Sequence, residues 1–299
     1  MTDVRIYEVG PRDGLQNEAT PISTDAKLRF IDLLADAGLR EIEATSFVSP
    51  RAIPQLADAD ELMGRLERRP GVRYPVLVPN QRGLERAEVA GVDAVCVFTA
   101  ASEEFTAHNI NMSIAESIDA FRPVVSTASE RGWWSRGYVN TAFGCPYQGT
   151  VDEGAVVDVG LRLLELGVDE LSIGDTIGVA GPADVRRVVG ALLGAGIGTE
   201  RLAMHFHDTR GTALANVSAA LELGIRCFDA STGGTGGCPY APGAAGNLAT
   251  EDLVYLLERE GLSHGVDLDR LLVAARHISD TLGRPLGTKV GQAGGWRLP

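Results

Sequence analysis

Short apolar, β-branched segments alternate with longer amphipathic stretches along almost the whole chain, and that alternation leaves few folds open. The strand candidates are Val4–Val9, Glu41–Thr45, Tyr74–Val78, Ala94–Phe98, Gly137–Ala142, Glu170–Gly174, Leu202–His207 and Cys227–Ser231. Helical patterns fall between them at Asp25–Ala37, Asp58–Glu67, Ser113–Arg131, Val151–Glu165, Pro182–Leu193 and Thr212–Leu223. Ala37-Gly38, Ala90-Gly91, Leu166-Gly167 and Leu223-Gly224 each put a glycine where a helix must stop before the next strand. Eight strand–helix units are the count of a closed (β/α)8 barrel, with Asp252–Glu260 as the eighth helix. No G-x-G-x-x-G follows the first strand, which disfavours an open doubly wound sheet. The expectation is one α/β catalytic domain, a TIM barrel over about residues 3–262. A short C-terminal helical extension (Asp267–Leu282) and tail fill 263–299.

A chain of 299 residues with 44% hydrophobic and 22% charged residues can bury the core that such a barrel needs. Glycine and charge interrupt every apolar run before it reaches the ~18–20 residues of a membrane span. The start, MTDVRIYEVG, lacks a basic region followed by a long apolar one, so the expected compartment is the cytoplasm. Cys96, Cys145, Cys227 and Cys238 show no C-x-x-C or zinc-like spacing, and Cys96 and Cys227 sit in apolar runs as buried small side chains. With 27 basic against 40 acidic residues the net charge is −13, which argues against nucleic acid as a partner. An anionic substrate would then need a local basic or metal-bearing pocket.

In a barrel the C-terminal ends of the strands converge on one rim. In LAMHFHD, His205 and His207 are two residues apart on a strand, so both imidazoles leave the same face and can share a divalent cation. Arg12 and Asp13 follow the first strand, Glu43 lies near the end of the second, Ser172 and Asp175 at the end of the sixth. Cys238 sits in the loop GGTGGCPYAPGAAG after the eighth strand, with Asn247 just beyond it. Carboxylate, imidazole and amide carbonyl suit Mg²⁺ or Mn²⁺ better than a closed thiolate zinc site. Each residue alone has an ordinary structural reading: core histidines with satisfied hydrogen bonds, a turn ion pair, a satisfied buried carboxylate, a flexible glycine-rich connection. Asp208 points to the other face of its strand and suits a second-layer contact or a cap on the following turn.

The runs EVGPRDGLQNE, IEATSFVSP, SIGDTIGV, MHFHDT and GGCPYAPGAAGNLATEDLVYLL resemble the 3-hydroxy-3-methylglutaryl-CoA lyase family, within the TIM-barrel metallolyases, over nearly the whole chain. The resemblance implies cleavage of 3-hydroxy-3-methylglutaryl-CoA to acetyl-CoA and acetoacetate with Mg²⁺ or Mn²⁺ and no organic cofactor, as in leucine breakdown. An acyl-CoA partner and a homodimer are implied with it, and no membrane or nucleic acid. Asp13, His205, His207 and Asn247 match the family's metal ligands, Arg12 the arginine at the thioester carbonyl, Glu43 an active-site carboxylate and Cys238 the loop cysteine needed for turnover. Arg12, Gln16, Ser46 and Ser172 are the candidate substrate contacts, and Arg12, Asp13, Glu43, His205 and Cys238 the candidate catalytic set.

Retro-Claisen cleavage needs a base for the tertiary hydroxyl, a cation to lower its pKa, an arginine at the enolate oxygen and an acid to protonate carbon. Cys238 is the candidate acid and Arg12 the enolate clamp, while the base stays open among Asp13, Glu43 and His205. The chain departs from the family pattern at His108-Asn109, where a basic pair would precede Asn-Ile-Asn, leaving Arg51 and Arg82 as alternative CoA phosphate contacts. Vertebrate members carry a cysteine near the C-terminus that can cross-link subunits; GTKVGQAGGWRLP has none, so that regulation is not expected. A bulkier C3 substituent keeps the same chemistry, whereas an isopropylmalate-type synthase would be expected to carry a long domain after the barrel. Schiff-base aldolase chemistry is disfavoured because Lys27 and Lys289 lie away from the strand ends. A non-catalytic barrel would be expected to have lost a ligand position. Trp133-Trp134 suggests packing or a subunit contact.

Overall fold

The computed structural model describes residues 3–237 and 246–295. Its strands are β1 (Arg5–Glu8), β2 (Glu41–Ile42), β3 (Thr45–Ser46), β4 (Val76–Leu77), β5 (Ala94–Ala100), β6 (Trp134–Asn140), β7 (Glu170–Asp175), β8 (Leu202–Phe206) and β9 (Cys227–Ala230). All neighbours are parallel, β1 pairs with β9, and the two ends of the sheet order are β2 and β3. These two are halves of one barrel strand, interrupted at Glu43-Ala44: β2 pairs with β1, β3 with β4, and the barrel closes across the break. The expected eight strands are therefore present, the second in two pieces. The strand expected at Tyr74–Val78 narrows to Val76–Leu77, and the one expected from Gly137 begins at Trp134.

The helices are α1 (Thr24–Asp36), α2 (Ala59–Arg65), α3 (Gln81–Val89), α4 (Glu103–Ile110), α5 (Ile114–Arg131), α6 (Glu153–Leu166), α7 (Pro182–Gly194), α8 (Ala213–Glu222), α9 (Thr250–Arg259), α10 (Leu268–Leu282) and α11 (Lys289–Ala293). α4 is an addition on the rim, started by the Ser102 side chain accepting from Phe105 N. The expected extension, α10, packs Leu271, Ala274 and Ile278 into the outer core and leans on α1, where His277 meets the carbonyl of Ala26 at 3.0 Å. Asp252 at the start of α9 accepts from Thr288 and from the backbone of Lys289 and Val290, which fixes α11 against the barrel.

Alternation along the strands separates two apolar environments. Ile6, Val76, Val97, Ile173, Met204 and Phe228 face the helices in one large core. Tyr7, Leu77, Cys96, Tyr138, Ala203 and Cys227 form a second, smaller cluster inside the barrel. Cys96 and Cys227 are buried as expected, Cys96 with its sulfur 3.2 Å from the Tyr7 hydroxyl.

Two buried carboxylates bind the rim to this frame. Glu8 accepts from Gly10 N, from Thr232 N and Oγ1, and from Thr250 Oγ1, all at 2.7–2.8 Å, so one side chain joins three loops. Glu251 takes the amide of Gly233 on both oxygens, at 3.0 and 2.9 Å. Burial, with the charges of Glu8 and Asp252 added, pushes Glu251 up to about 8. Because the folded protein then holds a proton that the unfolded chain releases near its ordinary value of 4.5, stability should fall as pH rises from about 4.5 to about 8. Glu251→Gln should flatten that fall. The thermal midpoint of the variant, compared with the parent at acidic and mildly alkaline pH, should gain ground as pH rises; parallel curves would remove Glu251 as the cause.

Candidate active site

The sequence GPRDG forms a tight π-helical turn in which the amides of Arg12, Asp13 and Gly14 all converge on the carbonyl of Val9. That turn throws Arg12 and Asp13 over the mouth of the barrel. A side chain at Gly14 would bring a Cβ to 2.3 Å from Thr235 Oγ1, so the turn can lie this close to the segment after β9 only with glycine there.

Arg12 is clamped. Its Nε and Nη2 donate to the two oxygens of Glu43 at 2.9 and 3.0 Å, and Nη1 donates to Asp13 Oδ1 at 2.9 Å. Glu43 is fully buried and also accepts from the Tyr138 hydroxyl at 2.7 Å. Of the five N–H groups of the guanidinium, three are taken and two remain for the cleft that Arg12 lines. The fork geometry explains why the residue is Arg and not Lys.

β8 places His205 and its loop-side neighbour His207 opposite Asp13, and one ligand atom from each lies within 4.8 Å of the others. Burial, reinforced by the neighbouring His205, drives His207 down to about 3, so its ring is neutral across the physiological range. Its Nδ1 is buried with no hydrogen-bond partner among the described residues, an open lone-pair or donor position at the cluster. Burial alone would lift Asp13, but the charge of Arg12 and of the two imidazoles holds it below the usual carboxylate range. Burial likewise pulls His205 down, and the hydrogen bond and charge of Asp229 outweigh it and raise His205 above the ordinary value. Asn247 donates its amide nitrogen to Asp13 Oδ2 (2.8 Å) and to the Thr235 carbonyl (3.1 Å), which leaves its oxygen as the uncommitted acceptor. At the barrel mouth one guanidinium, that of Arg12, faces two carboxylates, those of Asp13 and Glu43. A divalent cation between Asp13 and the imidazoles would reverse that deficit of positive charge, and its donors are the hard and borderline ones that Mg²⁺ and Mn²⁺ accept.

The cleft over this cluster has a volume of about 240 Å³. Arg12, Asp13, Gln16, His205 and His207 give it one polar side, Val48, Ile53, Phe98 and Phe105 an apolar one. Gln16 donates to Asp13 Oδ1 at 2.7 Å and lines the cleft. Glu43, Ser46 and Ser172 do not line it. Glu43 lies beneath Arg12; Ser46 is buried with its hydroxyl 3.3 Å from the Leu77 carbonyl; Ser172 donates to Asp229 Oδ2 at 2.8 Å. The hydroxyls of Ser46 and Ser172, expected as substrate contacts, donate to these protein partners. Asp175 caps the turn after β7 through Val179 N and Ala180 N, and Asp208 caps α8 through Ala213 N while pairing with Lys289. Cys238 lies outside the described residues. The loop that carries it leaves and returns through a narrow neck: Asn247 N donates to Gly236 O, Asp208 N to Gly246 O and Leu248 N to Phe206 O.

Arg51 and Arg82 are exposed, and His108 stacks on Tyr147 with ring centroids 4.1 Å apart at the outer edge. Trp134 belongs to the opposite end of the barrel, where Arg73 covers its ring at 4.5 Å, and Trp133 packs beside Arg131. Sequence reasoning missed Tyr138, Asn140, Thr176 and Phe105 as lining residues, and Asp229 and Arg136 as the support under His205. Period-two phasing from His205 and His207 would have pointed inward at Asp229, Tyr138 and Arg136.

The family model described as HMGL-like matches residues 3–278. The chain belongs to the HMGL-like family. Among its relatives, hydroxymethylglutaryl-CoA lyase of Pseudomonas mevalonii is 50% identical over 293 residues, 98% of this chain and 97% of that protein. The crystal structure of the Bacillus subtilis HMG-CoA lyase superposes with a TM-score of 0.96 at 48% identity, covering 98% of each chain. An HMG-CoA lyase from Acinetobacter baumannii in complex with coenzyme A and 3-methylmalate superposes at 0.93 with 39% identity, over 99% of this chain and 98% of that one. The likeness of this HMGL-like chain to those lyases therefore extends through every strand that carries a site residue.

A single Mn²⁺ per chain is expected to bind at the cluster, followed by the loss of the free-ion signal in electron paramagnetic resonance. His207→Ala should weaken it about tenfold or more. Unchanged Mn²⁺ affinity in that variant would place the cation elsewhere.

Proposed function

We propose that this protein is a divalent-metal-dependent lyase that cleaves (S)-3-hydroxy-3-methylglutaryl-CoA to acetyl-CoA and acetoacetate. The observation that carries the reading is the juxtaposition of Asp13, His205 and His207 with a clamped Arg12 over one small cleft, in a chain alike end to end with named lyases. The coenzyme A held by the Acinetobacter relative supports an acyl-CoA substrate.

Asp13, His205 and His207, with the free oxygen of Asn247, would hold the cation. When bound, a Mg²⁺ or Mn²⁺ ion acidifies a hydroxyl and fixes a neighbouring carboxylate. The chain's own contribution is positional and electrostatic. Glu43 and Tyr138 prevent Arg12 from swinging, so its two free N–H groups stay aimed at the cleft. There they can meet the thioester oxygen as it gains enolate charge, and such preorganised donors act most strongly in a pocket with little water. The apolar side formed by Val48, Ile53, Phe98 and Phe105 suits the methyl-bearing C3 region and keeps the enolate from bulk water. Cleavage sends the C3 hydroxyl proton to a base and the bonding pair to the acetyl carbon, and that carbon then takes a proton to give acetyl-CoA. Cys238, the thiol that follows the cleft-lining Gly237 in the sequence, is assigned that last proton transfer.

Acetyl-CoA release from 3-hydroxy-3-methylglutaryl-CoA should vanish after EDTA treatment and return with Mg²⁺ or Mn²⁺, with one acetoacetate per acetyl-CoA. Silence toward this substrate with metal bound would redirect the reading to another 3-hydroxyacyl-CoA. Arg12→Met should lower kcat by about 10²–10³, the usual cost of removing an oxyanion donor. Cys238→Ser should bind substrate and stall in turnover; near-normal kcat there would take the thiol out of the mechanism.

A further inference from the structure

The interior of a parallel barrel is ordinarily filled by branched aliphatic side chains. Here its middle holds a guanidinium. Arg136, on β6, has no solvent exposure. It donates from Nη2 to Asp229 Oδ1 at 2.7 Å, and its Nε approaches Glu170 Oε1 at 3.1 Å as an ion pair without hydrogen-bond alignment. Its Cζ sits 3.9 Å from the Tyr7 ring centroid and 5.3 Å from that of Tyr138. Glu170 is paired in turn with Arg5 at the opposite mouth. Asp229 is the β9 register partner of His205 on β8, and its second oxygen accepts from Ser172 Oγ at 2.8 Å and faces His205 Nδ1 at 3.2 Å.

We propose that Arg136, acting through Asp229, is a positioning residue that decides which ring nitrogen of His205 is offered to the cation. A carboxylate only accepts, so the hydrogen of a neutral His205 ring stands on Nδ1 and the lone pair of Nε2 is left for the triad with Asp13 and His207. A guanidinium only donates. Whatever atom occupies the Oδ1 position of residue 229 must therefore be an acceptor, as long as Arg136 stays in place. Arg136 cannot turn away, since two tyrosine rings and Glu170 confine it. The two residues thus set a fixed polarity that runs from the core of the barrel to the ligand.

This polarity gives the proposal a signature that a packing role lacks. In Asp229→Asn, Arg136 holds the amide oxygen, the amide NH₂ turns toward His205, and the ring hydrogen is forced onto Nε2, where it blocks coordination. Adding Arg136→Met frees the amide to rotate and present its oxygen to Nδ1. Glu170 retains Arg5 in that double variant, so no buried carboxylate is left alone.

The proposal rests on the metal-site reading and not on the identity of the substrate. Mn²⁺ affinity of the full-length protein, read by electron paramagnetic resonance, should fall about 10–100-fold in Asp229→Asn and recover most of that loss in the double variant. Equal weakening in both variants, or none in the single one, would overturn it. An Asp229→Asn chain that does not fold is covered by a second measurement on the unaltered protein. Long-range ¹H–¹⁵N correlation with labelled histidine, His205 assigned by His205→Gln, reads the tautomer directly in alkaline buffer. A ring protonated on Nδ1 supports the proposal and one protonated on Nε2 refutes it, whether or not metal binds. A protein with the Nδ1–H ring that takes up no Mn²⁺ would instead sink the metal-site reading.

Discussion

A charge sealed from water must be answered by opposite charge at close range, and the answer to Arg136 organises the inside of this barrel. Asp229 and Glu170 face it from β9 and β7, Tyr7 and Tyr138 close over it, and each of these neighbours also touches something nearer a mouth. Asp229 reaches Ser172 and His205; Tyr138 reaches Glu43, and through it Arg12 and Asp13. The two halves of the active site, imidazole and guanidinium, are therefore built on one polar column. Desolvating so many charged groups is costly, and the aliphatic core between strands and helices, from Ile6 round to Phe228, supplies the offsetting burial.

The rim depends on a second economy of contacts. Glu8 gathers Gly10, Thr232 and Thr250, so the turn bearing Arg12 and Asp13 is held to the end of β9 and the start of α9 by one carboxylate. Sites assembled from separate loops lose precision when each loop moves alone. Here the loops share an anchor, and the anchor is the last residue of β1, a strand paired on both sides.

How much of this was legible in the sequence follows from which signals are local. The strand–helix alternation, the glycine stops and the H-x-H pair are local, and they led to the barrel and to Asp13, His205 and His207 at one mouth. The break at Glu43-Ala44 left no local mark, because half-strands of two residues, Glu41–Ile42 and Thr45–Ser46, are too short to show a period of their own. Ser46 and Ser172 point to the right region, yet their hydroxyls are occupied by Leu77 and Asp229, a fact about neighbours far away in sequence. Arg136 and Asp229 were overlooked because a charged residue in a buried strand reads as an interruption of the apolar pattern. Only the inward phase shared with His205 reveals them as partners. The added α4 was similarly hidden, since a helix of eight residues has too short a period to stand out.

The neck that brackets Gly237 and Gly246 separates two kinds of change that evolution can make. Gly236 and Asn247 are joined by a backbone hydrogen bond, and the carbonyl of Gly246 accepts from the amide of Asp208, the residue after His207. Apart from the thiol at Cys238, what lies between Gly237 and Gly246 can lengthen or shorten while both ends stay fixed beside the candidate ligands. Enlarging such a loop costs little, about 0.6 kcal/mol for each doubling of its length. One frame can thus keep the geometry of its candidate ligands constant while the length of the segment between its two ends diverges.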